Sequence, residues 1–331
     1  MSASIEATQH IGGETPAPGV SLDDIRAAHR RIAPHAHRTP VLTNASIDEA
    51  AGASLFFKCE NLQRTGAFKL RGALNAVYLL DHEQIARGVA THSSGNHAAA
   101  LSYAARLRGS RTTVVMPNNA NAVKRAAVLH YGGEVIECEP TQAGRENMLD
   151  ALVLERGLTP IPPFDDLRVV AGQGTAALEL LEQAPELDAV IAPVGGGGLL
   201  SGTAIAVTQA SPGTQVIGAE PDAVDDTYRS FLAGHILPVE NPETIADGLR
   251  TTVGLLTFPI IRRHASQIVT VTESMIVEAM RLVWQRMKVV VEPSAAVALA
   301  AVLKERKALR NQRIGIIFSG GNVDLDTLPW Q

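Results

Sequence analysis

At 331 residues, with 46% hydrophobic and 4% aromatic residues, the chain is long enough for one large domain or two modest ones with ample core. Its net charge of -5 is mild, so neither nucleic acid nor an anionic membrane is an expected partner. Two cysteines, Cys59 and Cys138, make neither a disulfide framework nor a metal cluster. No apolar run spans a bilayer and no signal peptide opens the chain, so a cytoplasmic setting is expected.

Residues 1–20, with Gly12-Gly13, Pro16 and Pro18, read as a disordered leader. Ser21-Leu22-Asp23-Asp24 offers an N-cap with acids in the first turn and predicts a helix through Ile32. Leu55–Glu60 is a strand candidate; Gly66 marks a turn and Ala67–Leu80 a helix. Lys69 stands near that helix start beside Phe68. An amine at the positive end of a helix and against an aromatic loses its proton more readily, as a Schiff-base lysine requires, although a lone lysine is more often an ordinary surface charge.

From Gly88 a compact block alternates: strand Val89–His92, loop Ser93-Ser94-Gly95-Asn96-His97, a helix to Leu107, strand Thr113–Met116, helix Asn121–Tyr131 and strand Glu134–Cys138. The Ser93–His97 loop joins a strand end to a helix start, which suits a carboxylate held by hydroxyls and N–H groups; an ordinary Ser/Asn cap would look the same, and His97 alone reads as a core or capping histidine. A second alternating block runs from Gly172 to Val323. The expected class is α/β, with two domains, each a mostly parallel sheet flanked by helices, and a site between their strand ends.

Ala189–Val194 is a buried strand that breaks into Gly195-Gly196-Gly197-Gly198 before helix-compatible residues resume at Leu199. Strand, glycine loop and helix start make an anion site, with N–H groups beside the positive end of a helix dipole. A nucleoside-triphosphate loop would need a Lys after the glycines, where Leu199 and Leu200 stand. A dinucleotide loop would need a third glycine where Leu200 or Ser201 stands, although Glu220, closing the apolar strand Gln215–Ala219, occupies the place of a ribose-binding acid. A merely flexible turn is the bland alternative. Glu220-Pro221-Asp222-Ala223-Val224-Asp225-Asp226 places carboxylates on a loop after a strand, which reads either as a solvated acidic turn or as an oxygen-only site for Mg²⁺ or Ca²⁺. Strand Arg313–Phe318 ends in Ser319-Gly320-Gly321-Asn322-Val323-Asp324, a site-facing strand end or a tight turn.

Thr65–Gly72 with its Lys, Ser93–His97, Ala171-Gly172-Gln173-Gly174-Thr175, the tetraglycine and Ser319–Asn322, in this order, resemble the pyridoxal-phosphate-dependent serine/threonine dehydratases and serine racemases of the tryptophan synthase β-subunit fold type. The resemblance runs from about Ser21 to Val323. It implies a fold-type II enzyme with a large cofactor domain, 21–87 plus 161–331, and a small domain, 88–160, inserted in it. It further implies that Lys69 carries pyridoxal 5'-phosphate as a Schiff base and that Phe68 packs near the ring. Asn96 would bond the phenolic oxygen, Gly195, Gly196, Gly197, Gly198 and Leu199 would cradle the phosphate, and Ser319 would face the pyridine nitrogen. Ser93, Ser94, Asn96 and His97 would bind the substrate carboxylate, and Lys69 would remove the α-proton on one face.

Ser94 stands where the family's second acid/base works on the other face: catabolic threonine dehydratases commonly have Ala there and racemases have Ser. Glu220, the carbonyl of Val224, and Asp226 match the branch's divalent-cation site, for Mg²⁺ or in its place Ca²⁺ or Mn²⁺. Ala67 replaces a common Ser, as in 3-hydroxyaspartate dehydratases and some racemases, and Phe164-Asp165-Asp166 resembles dehydratases. Ala98-Ala99 departs from the commoner Gly-Gln, so the resemblance leaves nucleotide activation open. Arg145 matches racemase-like members and would meet a second substrate carboxylate, or serve in a surface ion pair. The chain ends soon after Ser319–Asn322, so feedback by isoleucine through a C-terminal regulatory domain is not expected.

The expected activity is dehydration and deamination of a β-hydroxy amino acid (3-hydroxyaspartate, serine or threonine) by a homodimer. Serine racemase is the alternative within the class. A silent ligand-binding relative and, more remotely, a dinucleotide-dependent oxidoreductase are the alternatives outside it.

Overall fold

A computed structural model describes residues 19–93, 95–120, 122–239 and 242–330. Most of the expected leader, Ser94, and Asn121 at the start of one expected helix lie outside the described residues. Among the described residues the strands are β1 (Val41–Leu42), β2 (Ser54–Cys59), β3 (Val89–His92), β4 (Thr112–Pro117), β5 (Glu134–Cys138), β6 (Thr159–Pro160), β7 (Ala189–Pro193), β8 (Gln215–Pro221), β9 (Gln267–Val271) and β10 (Arg313–Phe318). They form a six-stranded sheet in the order β1-β2-β10-β7-β8-β9 and a four-stranded sheet in the order β5-β4-β3-β6. Every pairing is parallel except that of β1 with β2.

Continuous apolar runs explain the larger sheet. All five residues of β7 are buried, and in β10 only Arg313 is not, as befits strands covered on both faces. Helix Pro293–Lys304 covers one face; its residues Ser294 through Val302 are all buried. Helices Leu167–Gln183 and Gly198–Ala210 cover the other. The first helix, Leu22–Ile32, opens with a Ser21–Asp24 capping box.

Parallel register brings the strand ends level. Phe318 of β10 pairs with Cys59 of β2, and Pro193 of β7 with Ala219 of β8, so Ser319, the tetraglycine and the turn leading to Lys69 emerge from one edge of the sheet. In the smaller sheet Ser93 follows β3 at the corresponding edge.

The Ala171–Thr175 motif lies inside helix Leu167–Gln183, where it locks the helix that begins at Lys69. A Cβ on Gly172 would stand 2.6 Å from Arg71 O, and one on Gly202 would stand 2.5 Å from Gly174 N, so three helices touch backbone to backbone. Gln173 Oε1 accepts from Gly72 N, an N–H in the first turn that the helix itself leaves without a partner. Thr175 Oγ1 accepts from Arg71, whose guanidinium also reaches both oxygens of Glu60 and of Glu179 at 2.7–2.9 Å. Lys58 completes this fully buried cluster through Glu179 Oε2 at 2.6 Å.

Candidate active site

Lys69 is the first residue of helix Lys69–Tyr78, which has no side-chain cap. Its Nζ donates to Pro163 O at 2.7 Å and lies 5.1 Å from the Phe68 ring centroid. Burial lowers its pKa to about 8, against the opposing pull of Glu292. Phe68 N donates to Ser319 O and Ala67 bridges to Gly320, which fixes the lysine turn against the end of β10.

The tetraglycine is fully buried and makes a helix N-terminus without a side-chain cap, Gly197 taking φ +88°. Its outer side is occupied: Thr257 Oγ1 donates to Gly196 O at 2.7 Å, and a Cβ on Gly196 would stand 2.3 Å from the Phe164 ring. Asp165, beside Phe164, accepts from the N–H groups of Leu255, Leu256 and Thr257 and so holds the covering loop. The N–H groups of the first helical turn, Leu199 included, remain for an anion.

From the smaller sheet, helix Asn96–Leu107 also opens without a side-chain cap, and Ser93 Oγ accepts from Gly95 N at 3.3 Å. Asn96 Nδ2 donates to Glu292 Oε1 at 2.8 Å, and Asn96 Oδ1 accepts from Asn322 at 2.9 Å, so the two sheets meet at this residue. A cavity of about 160 Å³ opens here, lined by Gly95, Asn96, Ala99, Lys124 and Asn322 among others. His97 is buried and its Nε2 faces Ile161 O at 3.0 Å. A carbonyl only accepts, so the proton sits on Nε2. Burial, with Lys69 nearby, lowers the His97 pKa to about 3, so the ring is neutral. Arg145 is in helix Gln142–Arg156, and its charge acts on His92 at the end of β3 and on Cys138 at the end of β5.

The acidic segment is not the solvated loop of one sequence reading. Glu220 and Pro221 complete β8, Asp222–Val224 form a short 3-10 turn, and Asp226 opens helix Asp226–Ala233. Glu220 and Asp226 are each only 1% exposed. Glu220 Oε1 accepts from Tyr228 N and Asp226 Oδ2 from Val253 N, while Glu220 Oε2 and Asp226 Oδ1 are buried without a hydrogen-bond partner. Burial and then Asp226 push the Glu220 carboxyl well above the usual range; burial pushes Asp226 up to about 6. Two adjacent buried carboxylates with orphaned oxygens fit a divalent cation. Among the described residues no cluster of three or more His, Cys, Asp or Glu side chains forms, here or elsewhere, so the pair would need backbone carbonyls to complete a cation's shell.

A match to the "Pyridoxal-phosphate dependent enzyme" family model over residues 32–320 decides the family. The chain belongs to it. Within that family it is 52% identical over 310 residues to the beta-hydroxyaspartate dehydratase of Paracoccus denitrificans, covering 94% of this chain and 98% of that one. The crystal structure of serine racemase from Dictyostelium discoideum is 52% identical, with TM-score 0.89 over 92% of this chain and 99% of that one. Maize serine racemase is 46% identical, with TM-score 0.92 over 95% and 97%. The fold is thus that of a fold-type II pyridoxal-phosphate enzyme, as the motifs implied.

The residues at hand fit that cofactor: a half-buried lysine with a depressed pKa, a buried glycine cradle at an uncapped helix start, and Ser319 and Asn96 beside them. Sequence reasoning missed Glu292 and the ion pair of Lys124, which lines the same cavity as Asn96, with Asp247. Glu292 precedes Pro293, and an acid before a proline reads only as a helix start.

Proposed function

We propose that this enzyme is a pyridoxal-phosphate-dependent ammonia-lyase that converts a small β-hydroxy amino acid, 3-hydroxyaspartate, serine or threonine, to a keto acid and ammonia by α,β-elimination. The observation that carries this reading is the convergence of Lys69, the tetraglycine helix start, Ser319 and the Ser93–Asn96 helix start on the facing strand ends of two parallel sheets.

In this reading Lys69 holds the cofactor, Phe68 packs near its ring, and Asn96 meets its phenolic oxygen. The N–H groups of Gly195, Gly196, Gly197, Gly198 and Leu199 hold its phosphate. When bound, the cofactor supplies the sink for the electrons left as the α-proton departs. Ser319 presents a neutral hydroxyl to the pyridine nitrogen, which favours elimination over transamination. Lys69, with its pKa near 8, accepts and returns a proton at neutral pH. The helix-start N–H groups of Asn96 and His97, with the hydroxyls of Ser93 and Ser94, bind the α-carboxylate. The His97 ring is committed to Ile161, which leaves that task to its backbone. Arg145 receives the second carboxylate of 3-hydroxyaspartate. Glu220, the Val224 carbonyl and Asp226 hold Mg²⁺, or Ca²⁺ or Mn²⁺, in a structural role.

Residues 88–160 form a small domain inserted in the large one, 21–87 plus 161–331, a division supported by the sheet membership of β3 to β6. The enzyme is cytoplasmic, in keeping with two free, buried cysteines; no described helix is long and apolar enough to cross a membrane. It is a homodimer, in keeping with exposed Leu62 and Val290, neighbours through the bond from Asn61 to Val290 O. Racemisation is the second reading, favoured by the 52% identity to the Dictyostelium serine racemase; Ser94 would then act on the face opposite Lys69.

The test is keto-acid release by the Mg²⁺-loaded, cofactor-replete enzyme from L- and D-serine, L-threonine and the 3-hydroxyaspartate isomers, with chiral analysis of the remaining substrate. Fast keto-acid release without inverted substrate supports the lyase. Inverted serine outpacing keto acid makes the enzyme a racemase, and absence of turnover with every substrate overturns both readings.

A further inference from the structure

Glu292 is 4% exposed and stands at the N-cap of helix Pro293–Lys304, yet its side chain makes no capping bond to that helix. A carboxylate at this position is ordinarily stabilised by the helix's own N–H groups and dipole. This one turns away: its Oε1 accepts from Asn96 Nδ2 and packs 2.4 Å from where a Cβ on Gly320 would lie, so a side chain at Gly320 would displace that carboxyl.

The surrounding amides fix the direction of that bond. Thr65 O can only accept, so Asn322 presents its Nδ2, at 2.8 Å. The same Nδ2 reaches Asn96 at 2.9 Å, which must therefore turn its Oδ1 toward Asn322 and its Nδ2 toward Glu292. One hydrogen of Asn96 Nδ2 is spent on Glu292 and the second is left.

We propose that Glu292 is a positioning residue whose Oε1 holds the Asn96 amide in the one orientation that offers its remaining Nδ2–H to the cofactor. This rests on the reading of Asn96 as a cofactor contact. The charged groups around Glu292 are Asp247, Lys124 and Lys69. Burial, then Asp247, push its carboxyl up to about 8 against the pull of Lys124, so at neutral pH it acts mainly as an uncharged acid that still accepts from Asn96. Glutamine, which keeps that accepting oxygen, is the conservative replacement.

The experiment is a spectroscopic titration of the apo full-length chain with pyridoxal phosphate at pH 7, for wild type, Glu292→Gln, Glu292→Ala, Asn96→Ala and the Asn96→Ala/Glu292→Ala double variant, each checked for folding by circular dichroism. Glu292→Gln is expected to bind within about threefold of wild type with the same absorbance band. Glu292→Ala and Asn96→Ala should each weaken binding about tenfold, the scale of one buried hydrogen bond, and the double variant should be no worse than either. Independent, additive losses would overturn the proposal, as would Glu292→Gln failing as badly as Glu292→Ala in folded protein. Should Glu292→Ala not fold, Glu292→Gln and Asn96→Ala alone decide, because the proposal requires the first to be mild and the second severe. A wild-type chain that binds no cofactor, or binds it identically after Lys69→Ala, would instead sink the reading of the site.

Discussion

Arg71, two residues after Lys69, is the keystone of the buried charge cluster, and replacing it tests whether that cluster holds the lysine helix in place. Its guanidinium makes six hydrogen bonds: two to Glu60, two to Glu179, one to Thr175 Oγ1 and one to His37 O. In Arg71→Met, Glu179 keeps Lys58 and His29, but Glu60 keeps the Thr39 hydroxyl at 2.5 Å and only the longer-range charge of Lys58. One buried carboxylate is thereby stranded, at about 3–5 kcal/mol of stability. That is a large part of the ~5–15 kcal/mol of an ordinary domain, so the variant should fold but melt early. Removing the stranded charge as well, in Arg71→Met/Glu60→Gln, should recover about 1–3 kcal/mol, because an amide pays a smaller desolvation penalty than a carboxylate. Urea unfolding followed by circular dichroism reads both numbers, and cofactor absorbance reports whether the Lys69 helix has shifted. A loss below about 1 kcal/mol for Arg71→Met, or no recovery in the double variant, would refute the assignment of Glu60 as the dependent charge.

Three further outcomes follow from the geometry. Only the free amine of Lys69 attacks an aldehyde, and burial lowers its pKa to about 8 from 10.5, so the rate of cofactor uptake by the apo enzyme should rise with pH and reach half its plateau near 8; a midpoint at the ordinary lysine value would contradict this. Gly197→Ala imposes φ +88° on alanine and sets its Cβ 2.7 Å from Thr257 Oγ1, so it should lose about 1–2 kcal/mol from the left-handed backbone alone and loosen phosphate binding, as measured by thermal melts with and without inorganic phosphate. Mg²⁺ at a hundredfold its Kd should stabilise the wild type by ~2.7 kcal/mol and EDTA should reverse the gain, whereas Glu220→Gln/Asp226→Asn should melt at one temperature in either condition; an equal Mg²⁺ response in both would remove the cation from that pair.

Strand and loop order were legible because the signals are local. The apolar run Ala189–Pro193, the break into glycine and the resumed helix each announce themselves within a few residues, as does the Ser21–Asp24 cap. What a residue does once the strands are assembled was less legible. Gly172, Gln173 and Gly174 carry no periodic signal of their own; their meaning is that Arg71, Gly72 and Gly202 come within backbone contact from other parts of the chain. The acidic segment misled in the opposite way. Its composition is that of a solvated turn, yet β8 runs on through Pro221 and takes Glu220 into the interior.

Glu292 shows why such residues escape a sequence reading and why they matter here. It lies 196 positions from Asn96, and nothing near it in sequence hints at an amide partner. Yet Asn96 follows β3 of the smaller sheet, whereas Asn322 follows β10 of the larger one and Glu292 opens a helix that covers it, so the amide acquires its orientation only when these distant segments meet. The ion pair of Lys124, between β4 and β5, with Asp247, between β8 and β9, likewise links the two sheets, and both of its charges act on Glu292. Assembly of the cleft and the electrostatics of its buried acid are therefore set by the same contacts. A substitution that separates Lys124 from Asp247 should disturb cofactor binding even though neither side chain stands among the residues assigned to the cofactor.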